Sequence, residues 1–347
     1  MSTITNNTPD AQPDARAATA ARDRATARGR DGERAPVLAL VVPCFDEEPV
    51  VASTAARLGA LVARLVAAGK IDAASFVYFV DDGSRDGTWG AIEGLHRAGA
   101  AVKGLKLARN VGAQNAVLAG LLSVRERADC AVTIDADLQQ DERVVETFLE
   151  RFRAGAQIVY GVRRNYANES ALKRVASSVF YRLMRLMDAR IIPHHSECRL
   201  VSRKAIDAVA QYPEYNIFLR GIFVDIGFKS EIVPFDVRRR EAGKSKHGFK
   251  QLVGLALDGV TSFSVAPLRL ATVAGALVFL FSGVMALYYL WERLAGRTPP
   301  GWAATIIPVY FLGGVQIMFL GVVGEYVGKI YKEVKARPRF IKDEELF

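Results

Sequence analysis

Residues 131–140 read AVTIDADLQQ. The run Ala131–Ile134 has the apolar, branched composition of a short buried strand, and the chain turns acidic immediately after it, at Asp135 and Asp137. Two carboxylates one residue apart at a strand end can converge on a hard divalent cation. Mg2+ or Mn2+ takes a few oxygen ligands from protein and keeps positions for substrate phosphates. A solvated acidic turn explains the same residues equally well when they are taken alone.

Working outward, the same grammar repeats. Val37–Cys44 reads as a buried strand, followed by helical spacing of Val, Leu and Ala over Glu47–Ala68. Ser75–Val80 is a second strand, a helical stretch runs to Ala98, and Val102–Leu107 is a third strand. Val111–Arg127 reads as helix, Glu142–Arg153 as another, and Gln157–Gly161 as a further strand. Strands alternating with helices predict a mostly parallel sheet covered on both faces, with its site at the carboxyl ends of the strands. Two more polar clusters fall at such ends. In Val80-Asp81-Asp82-Gly83-Ser84, Asp82 could accept from a base N–H or a ribose hydroxyl, and Gly83 permits a tight turn. In Val42-Pro43-Cys44-Phe45-Asp46-Glu47, Phe45 could stack on a base and Glu47 could bond a ribose. Capping and turn formation would account for either cluster on its own.

The 347 residues suffice for one large domain with an appendage, or for two domains, and the formal charge of +9 suits a phosphate-bearing partner. No zinc-finger spacing or aromatic-rich basic stripe is present, so nucleic acid is not the expected partner. Cys44, Cys130 and Cys198 are odd in number and widely spaced, without CxxC, and read as reduced structural thiols. Residues 1–35 are polar, then rich in Ala, Arg and Asp. They contain no apolar stretch of the signal-peptide type and read as a disordered tail.

Near the C-terminus the expected solvent changes. Leu270–Trp291 and Trp302–Gly324 are uncharged, and each is long enough to cross about 30 Å of hydrocarbon at roughly 1.5 Å per residue. The polar linker ERLAGRTPPG joins them, with Tyr288, Tyr289, Trp291 and Trp302 where an aromatic belt would fall. Arg238, Arg239, Arg240, Lys244, Lys246 and Lys250 precede the first span. Lys329, Lys332, Lys335, Arg337 and Arg339 follow the second. This bias places both ends and the N-terminal domain in the cytoplasm, and Glu325 at the interface. Lys173–Met187 fits either a core helix or a helix lying in the interface, and Gly248–Ser264 is a second interfacial candidate.

Taken together, the three clusters resemble the nucleotide-sugar half of glycosyltransferase family 2. Arg109-Asn110-Val111-Gly112 resembles that family's RNxG segment, and Gly161-Val162-Arg163 its GxR step. The run Arg240-Glu-Ala-Gly-Lys-Ser-Lys246 is more discriminating, followed as it is by Leu257–Phe263 and Pro267-Leu268-Arg269. It is similar to the polyprenyl-phosphate branch, related to dolichol-phosphate mannose synthase and bactoprenol glucosyltransferase. The likeness covers Val37 to Arg339 and excludes the N-terminal tail.

The resemblance implies a GT-A, Rossmann-like catalytic domain at 36–247, a juxtamembrane interfacial helix at 248–267, two transmembrane helices at 268–328, and a basic cytoplasmic tail at 329–347. It implies that Pro43, Phe45, Glu47, Val80 and Asp82 hold the nucleoside. Asp135, Ala136, Asp137 and Gln139 would surround Mg2+ or Mn2+ and the diphosphate. Arg163, Arg240 and Lys246 would contact donor or acceptor phosphates, which guanidinium and ammonium groups clamp well; anionic lipid headgroups would attract the same basic run. One departure stands out. Relatives carry an Asp-aromatic-Arg-Leu step, whereas this chain has Glu197-Cys198-Arg199-Leu200. His194 and His195 read as loop residues.

The implied reaction is metal-dependent inverting transfer of a hexose, glucose first, from a UDP-sugar to a polyisoprenyl phosphate such as undecaprenyl phosphate. The implied setting is the inner membrane, and copies could assemble through the membrane helices and C-terminal segments. An amino-arabinose, mannose or galactose donor is the competing specificity. A catalytically silent membrane scaffold is the alternative of another class. A processive polysaccharide synthase would carry QxxRW, which this chain lacks.

Overall fold

A computed structural model of the chain describes residues 34–99, 101–138, 140–163, 192, 195–215, 217–236, 266–295 and 302–347. Residues 1–33 of the expected tail, Gln139, Arg240, Lys246, the segments Lys173–Met187 and Gly248–Ser264, and residues 296–301 of the link between the apolar helices lie outside these residues.

The strands are β1 (Leu38–Cys44), β2 (Phe76–Asp81), β3 (Val102–Leu107), β4 (Cys130–Thr133), β5 (Ile158–Arg163), β6 (His195–Ser202), β7 (Ser230–Phe235) and β8 (Lys342–Leu346). They form one sheet in the order β7-β5-β6-β4-β1-β2-β3-β8. The run β4-β1-β2-β3 is parallel throughout. Strand β6 then runs antiparallel between β4 and β5, and β7 pairs parallel with β5. The sheet is therefore mixed, with the parallel part where the sequence placed it. The chain leaves β1 in one direction to make β2 and β3, then returns to the other side of β1 to make β4. That reversal opens a crevice between the carboxyl ends of β1 and β4.

Helices α1 (Glu48–Ala67), α2 (Thr88–Arg97) and α4 (Val144–Arg153) cover one face of the sheet, and α3 (Ala113–Val124), α5 (Arg203–Val209) and α6 (Leu219–Asp225) cover the other. The alternation within β1 shows why both faces need covering. Leu38, Leu40 and Val42 belong to the first core, while Ala39 and Val41 belong to the second. In α1, Pro49 occupies the first turn, where its missing N–H costs nothing, and Val51, Ala55, Leu58, Val62 and Leu65 form one buried stripe. Although α1 is long and apolar enough to cross a membrane, that stripe packs on the sheet and makes it a core helix. Helix α3 packs tightly on the sheet: a Cβ on Gly120 would sit 2.5 Å from Val41 Cγ1 and 2.7 Å from Val80 Cγ2.

Two further helices, α7 (Ala266–Leu294) and α8 (Trp302–Val334), are long and apolar enough to cross a membrane and expose Phe279, Phe281, Leu287, Phe311 and Leu320. The 33 residues of α8 span about 50 Å, well beyond the roughly 30 Å of a hydrocarbon core. Its last turns carry Glu325, Lys329, Lys332 and Glu333. The chain does not end there as a simple basic tail. Residues 342–346 return to pair antiparallel with β3 at the sheet edge. KDEEL lacks the apolar alternation of a strand, and its acids find cations and donors instead. Glu345 accepts from Tyr78 Oη at 2.8 Å, Glu344 from Trp89 Nε1 at 3.3 Å, and Lys106 lies 3.4 Å from Asp343. Phe347 packs edge-on against Phe76, under the Arg127 guanidinium.

The closeness at Gly120 sets an expectation for stability. Gly120→Val forces a branched side chain between β1 and β2 and is expected to lower unfolding free energy by about 1–3 kcal/mol. Urea unfolding of detergent-solubilised protein measures this as a lower midpoint with an unchanged slope.

Candidate active site

The carboxyl edge of the sheet is sewn together by short polar links between successive loops. After β1, Asp46 adopts φ 51°, a left-handed conformation that an aspartate tolerates when its side chain is bonded locally. Here Asp46 Oδ1 accepts from the Arg85 amide at 2.8 Å, and the Asp46 amide donates to Ser84 Oγ at 3.0 Å. The Glu47 amide donates to Thr88 Oγ1 at 3.0 Å, and the Asp82 amide to the Cys44 carbonyl at 2.9 Å. Pro43, Phe45 and Glu47 are half-buried on this ledge.

Asp82 has a more specific task than the sequence suggested. Its two carboxylate oxygens accept from the Val111 amide at 2.8 Å and the Gly112 amide at 2.9 Å. It thus holds the Arg109–Gly112 loop against the end of β2, and its carboxylate is engaged with backbone. Gly83 makes that approach possible. At φ 66°, a Cβ there would meet the backbone of Arg109 and Asn110 at 2.6–2.7 Å. Val80 is fully buried and contributes packing.

On the other side of the crevice, the chain leaves β4 through a turn in which the Leu138 amide donates to the Asp135 carbonyl at 3.1 Å. Leu138 takes φ 42°, a costly conformation for a leucine, and its side chain is buried, so packing enforces the turn. Thr54 Oγ1 donates to the Ala136 carbonyl at 2.6 Å and ties the turn to α1. Asp135 and Asp137 are half-buried, with Ala136 beneath them. Burial pushes the Asp135 carboxyl up from its ordinary value; the charges of Glu197 and Asp137 push the same way, against a hydrogen bond from Gln140 and the charge of Arg163.

Strand order explains these neighbours. Because β6 runs antiparallel between β4 and β5, its first residues and the last residue of β5 lie on the edge that carries Asp135. Arg163 is exposed there. Glu197 is held by two arginines: Arg220 Nε donates to its Oε1 at 2.7 Å, and Arg199 Nη2 bonds its other oxygen. Arg199 is 0 % exposed, and its Nη1 has no partner among the described residues. The residues alone gave Arg199 no role beyond its place in the Glu197–Leu200 step, and gave Arg220 and Gln140 none. The available signal was an arginine standing inside the strand-like run ECRLVS, where a charge must be paired. Gln140 donates through Nε2 to Asp135, and its neighbour Gln139 lies outside the described residues.

The acidic turn fits a hard divalent cation. Carboxylates of like charge crowd together, and Gln140 Oε1 is buried without a partner among the described residues. No group of three His, Cys, Asp or Glu converges on one point among those residues. A carboxylate pair is the right protein share for a cation that keeps its other positions for phosphate oxygens and water.

Sequence comparison gives the class of this doubly covered sheet with an acidic pair at its switch point. The chain belongs to glycosyltransferase family 2. The family pattern, Glycosyl transferase family 2, matches residues 39–210, and the GtrB C-terminal hairpin pattern matches residues 266–330. An uncharacterized glycosyltransferase of Bacillus subtilis, YkoT, is 44% identical over 90% of this chain and 93% of its own length. The uncharacterized glycosyltransferase sll0501 of Synechocystis is 33% identical over 88% of this chain and 94% of its own. The SfII prophage-derived bactoprenol glucosyl transferase of Shigella flexneri is 34% identical over 88% of this chain and 96% of its own. The protein is a glycosyltransferase, and its two apolar C-terminal helices associate it with a membrane.

The ledge carries a pH signature. Asp81 and Asp82 are both pushed above the ordinary aspartate value by burial; hydrogen bonds from Ser84 oppose the shift at Asp81, and those from Val111 and Gly112 oppose it at Asp82. The folded state therefore binds these protons more tightly than the unfolded chain. Their contribution to stability falls as pH rises from about 4 through the raised values. Asp81→Asn removes one such group. Its unfolding free energy relative to the native protein is expected to climb across that window and stay level above it, as measured by urea unfolding between pH 4 and 7.

Proposed function

We propose that the protein transfers glucose from UDP-glucose to a polyprenyl phosphate, undecaprenyl phosphate above all, at the cytoplasmic face of the inner membrane, with α7 and α8 crossing it as a hairpin. The observation that carries this reading is the half-buried pair Asp135 and Asp137 at the β1/β4 crevice, on the same edge as the loop ends at Pro43–Glu47 and Asp81–Gly83. The relative from Shigella flexneri named as a bactoprenol glucosyl transferase supports the choice of sugar and acceptor.

In this reading Pro43 and Phe45 flank the base, Glu47 lies within reach of the ribose, and Asp82 keeps the Arg109–Gly112 loop in place beside them. Asp135, Asp137 and Gln139 would hold Mg2+ or Mn2+, which would supply positive charge against the leaving diphosphate. Arg163, together with Arg240 and Lys246 from the basic run, offsets repulsion between two phosphate-bearing reactants. A lipid phosphate is already anionic at neutral pH, so its oxygen can displace the nucleoside diphosphate at the anomeric carbon without a dedicated base. The membrane holds the acceptor beside the donor, which lowers the entropic cost of the encounter. Direct displacement inverts the anomeric centre.

Purified protein incubated with Mg2+, polyprenyl phosphate and a panel of nucleotide sugars, followed by mass measurement of the lipid, tests the specificity. A hexosyl lipid from UDP-glucose is expected, and NMR should show inversion. Asp137→Asn is expected to lower turnover by about 10²–10³-fold; native turnover in that variant would remove the metal-site assignment.

A further inference from the structure

The polar end of α8 is joined by a series of contacts to Glu197, whose charge acts on Asp135. Glu333 Oε2, on the last turn of α8, accepts from the Tyr215 amide at 2.7 Å. Arg339, between α8 and β8, donates through Nη2 to the Tyr212 carbonyl, and its Nη1 is buried without a partner among the described residues. Glu214, in the same loop, is raised by burial and by the Glu333 charge and lowered by Arg339, which puts all three at one junction. Tyr212 also reaches the far side of the loop, where its hydroxyl donates to Asp225 Oδ2 at 2.9 Å at the end of α6.

Helix α6 has seven residues, too few to hold its shape without tertiary contacts. Its start is fixed by the Leu219 amide donating to Gln114 Oε1 at 2.9 Å. It supplies both Arg220, on Glu197, and Phe223, whose ring lies 5.0 Å from the Arg199 guanidinium. The Glu197 charge acts in turn on Asp135. Strand β8 pins the chain beyond Arg339 to the sheet, so the junction is held from both sides.

We propose that Glu333 and Arg339 are positioning residues for the transfer site, acting through Tyr212, Tyr215 and α6 to seat Arg220 on Glu197. The membrane helix thereby sets the geometry of the acidic crevice as well as its height above the lipid. This rests on the reading of the crevice as the transfer site.

The test compares Arg339→Ala, Arg339→Lys, Arg220→Gln and the double variant Arg339→Ala/Arg220→Gln in transfer from UDP-glucose to polyprenyl phosphate, with Lys335→Ala as control. Arg339→Ala is expected to lower kcat about tenfold, the scale of coupling through packed neighbours, with donor KM nearly unchanged. Arg339→Lys should recover most of the activity and Lys335→Ala should keep all of it. The double variant should be no worse than Arg220→Gln alone. A second arm needs no substrate: hydrogen exchange in Arg339→Ala should speed up across residues 217–224 and stay native in β1 and β2. Multiplying losses in the double variant, or native exchange in α6, overturns the proposal. Should the native protein turn over no UDP-glucose, the functional reading fails and the exchange arm alone decides the coupling.

Discussion

Like charges drawn together in a half-buried crevice repel one another, and the carboxyl edge of this sheet is organised around that repulsion. Asp135 leaves β4 in a turn where the charges of Asp137 and of Glu197, at the start of β6, both act on it. In water such carboxylates would separate. Here a leucine in a left-handed conformation, a threonine bonded to the turn carbonyl and a buried glutamine keep them in place. Two arginines on Glu197 offset the negative charge gathered there.

The second constraint is the contrast between a covered sheet and two exposed apolar helices. Two core layers bury the sheet on both faces, while α7 and α8 keep large apolar side chains exposed over most of their length. A helix of 33 residues outruns the hydrocarbon, and its surplus turns carry the charges that meet the catalytic domain. The return of β8 to the edge of β3 closes the chain on itself. It also covers an edge that would otherwise present unpaired backbone groups. The sheet domain and the apolar helix are consequently connected by Glu333 at the end of α8 and by the chain that follows it.

Much of the parallel half of the sheet was legible in the residues, because Val37–Cys44, Ser75–Val80 and Val102–Leu107 each carry an apolar run ending in a polar cluster. Their observed bounds differ by a residue or so. The antiparallel half was less legible. Strand β6 contains Glu197 and Arg199, and β8 is almost wholly charged, so neither shows the apolar run that marks a strand. Their charges are satisfied by residues distant in the chain, Arg220, Lys106 and Arg127 among them, and local pattern carries no trace of such pairing.

The sequence by itself determined the order of strands and helices from β1 to β5, the two apolar helices, and the acidic pair at a strand end, since each depends on residue type and local period alone. Only the tertiary structure decided that Asp82 holds a loop instead of facing outward, that Gln140 lies on Asp135, and that the chain's last strand joins the sheet. Those outcomes follow from which backbone amides and charges are brought within hydrogen-bonding reach when the strands fall into register, and that proximity exists only in the folded chain.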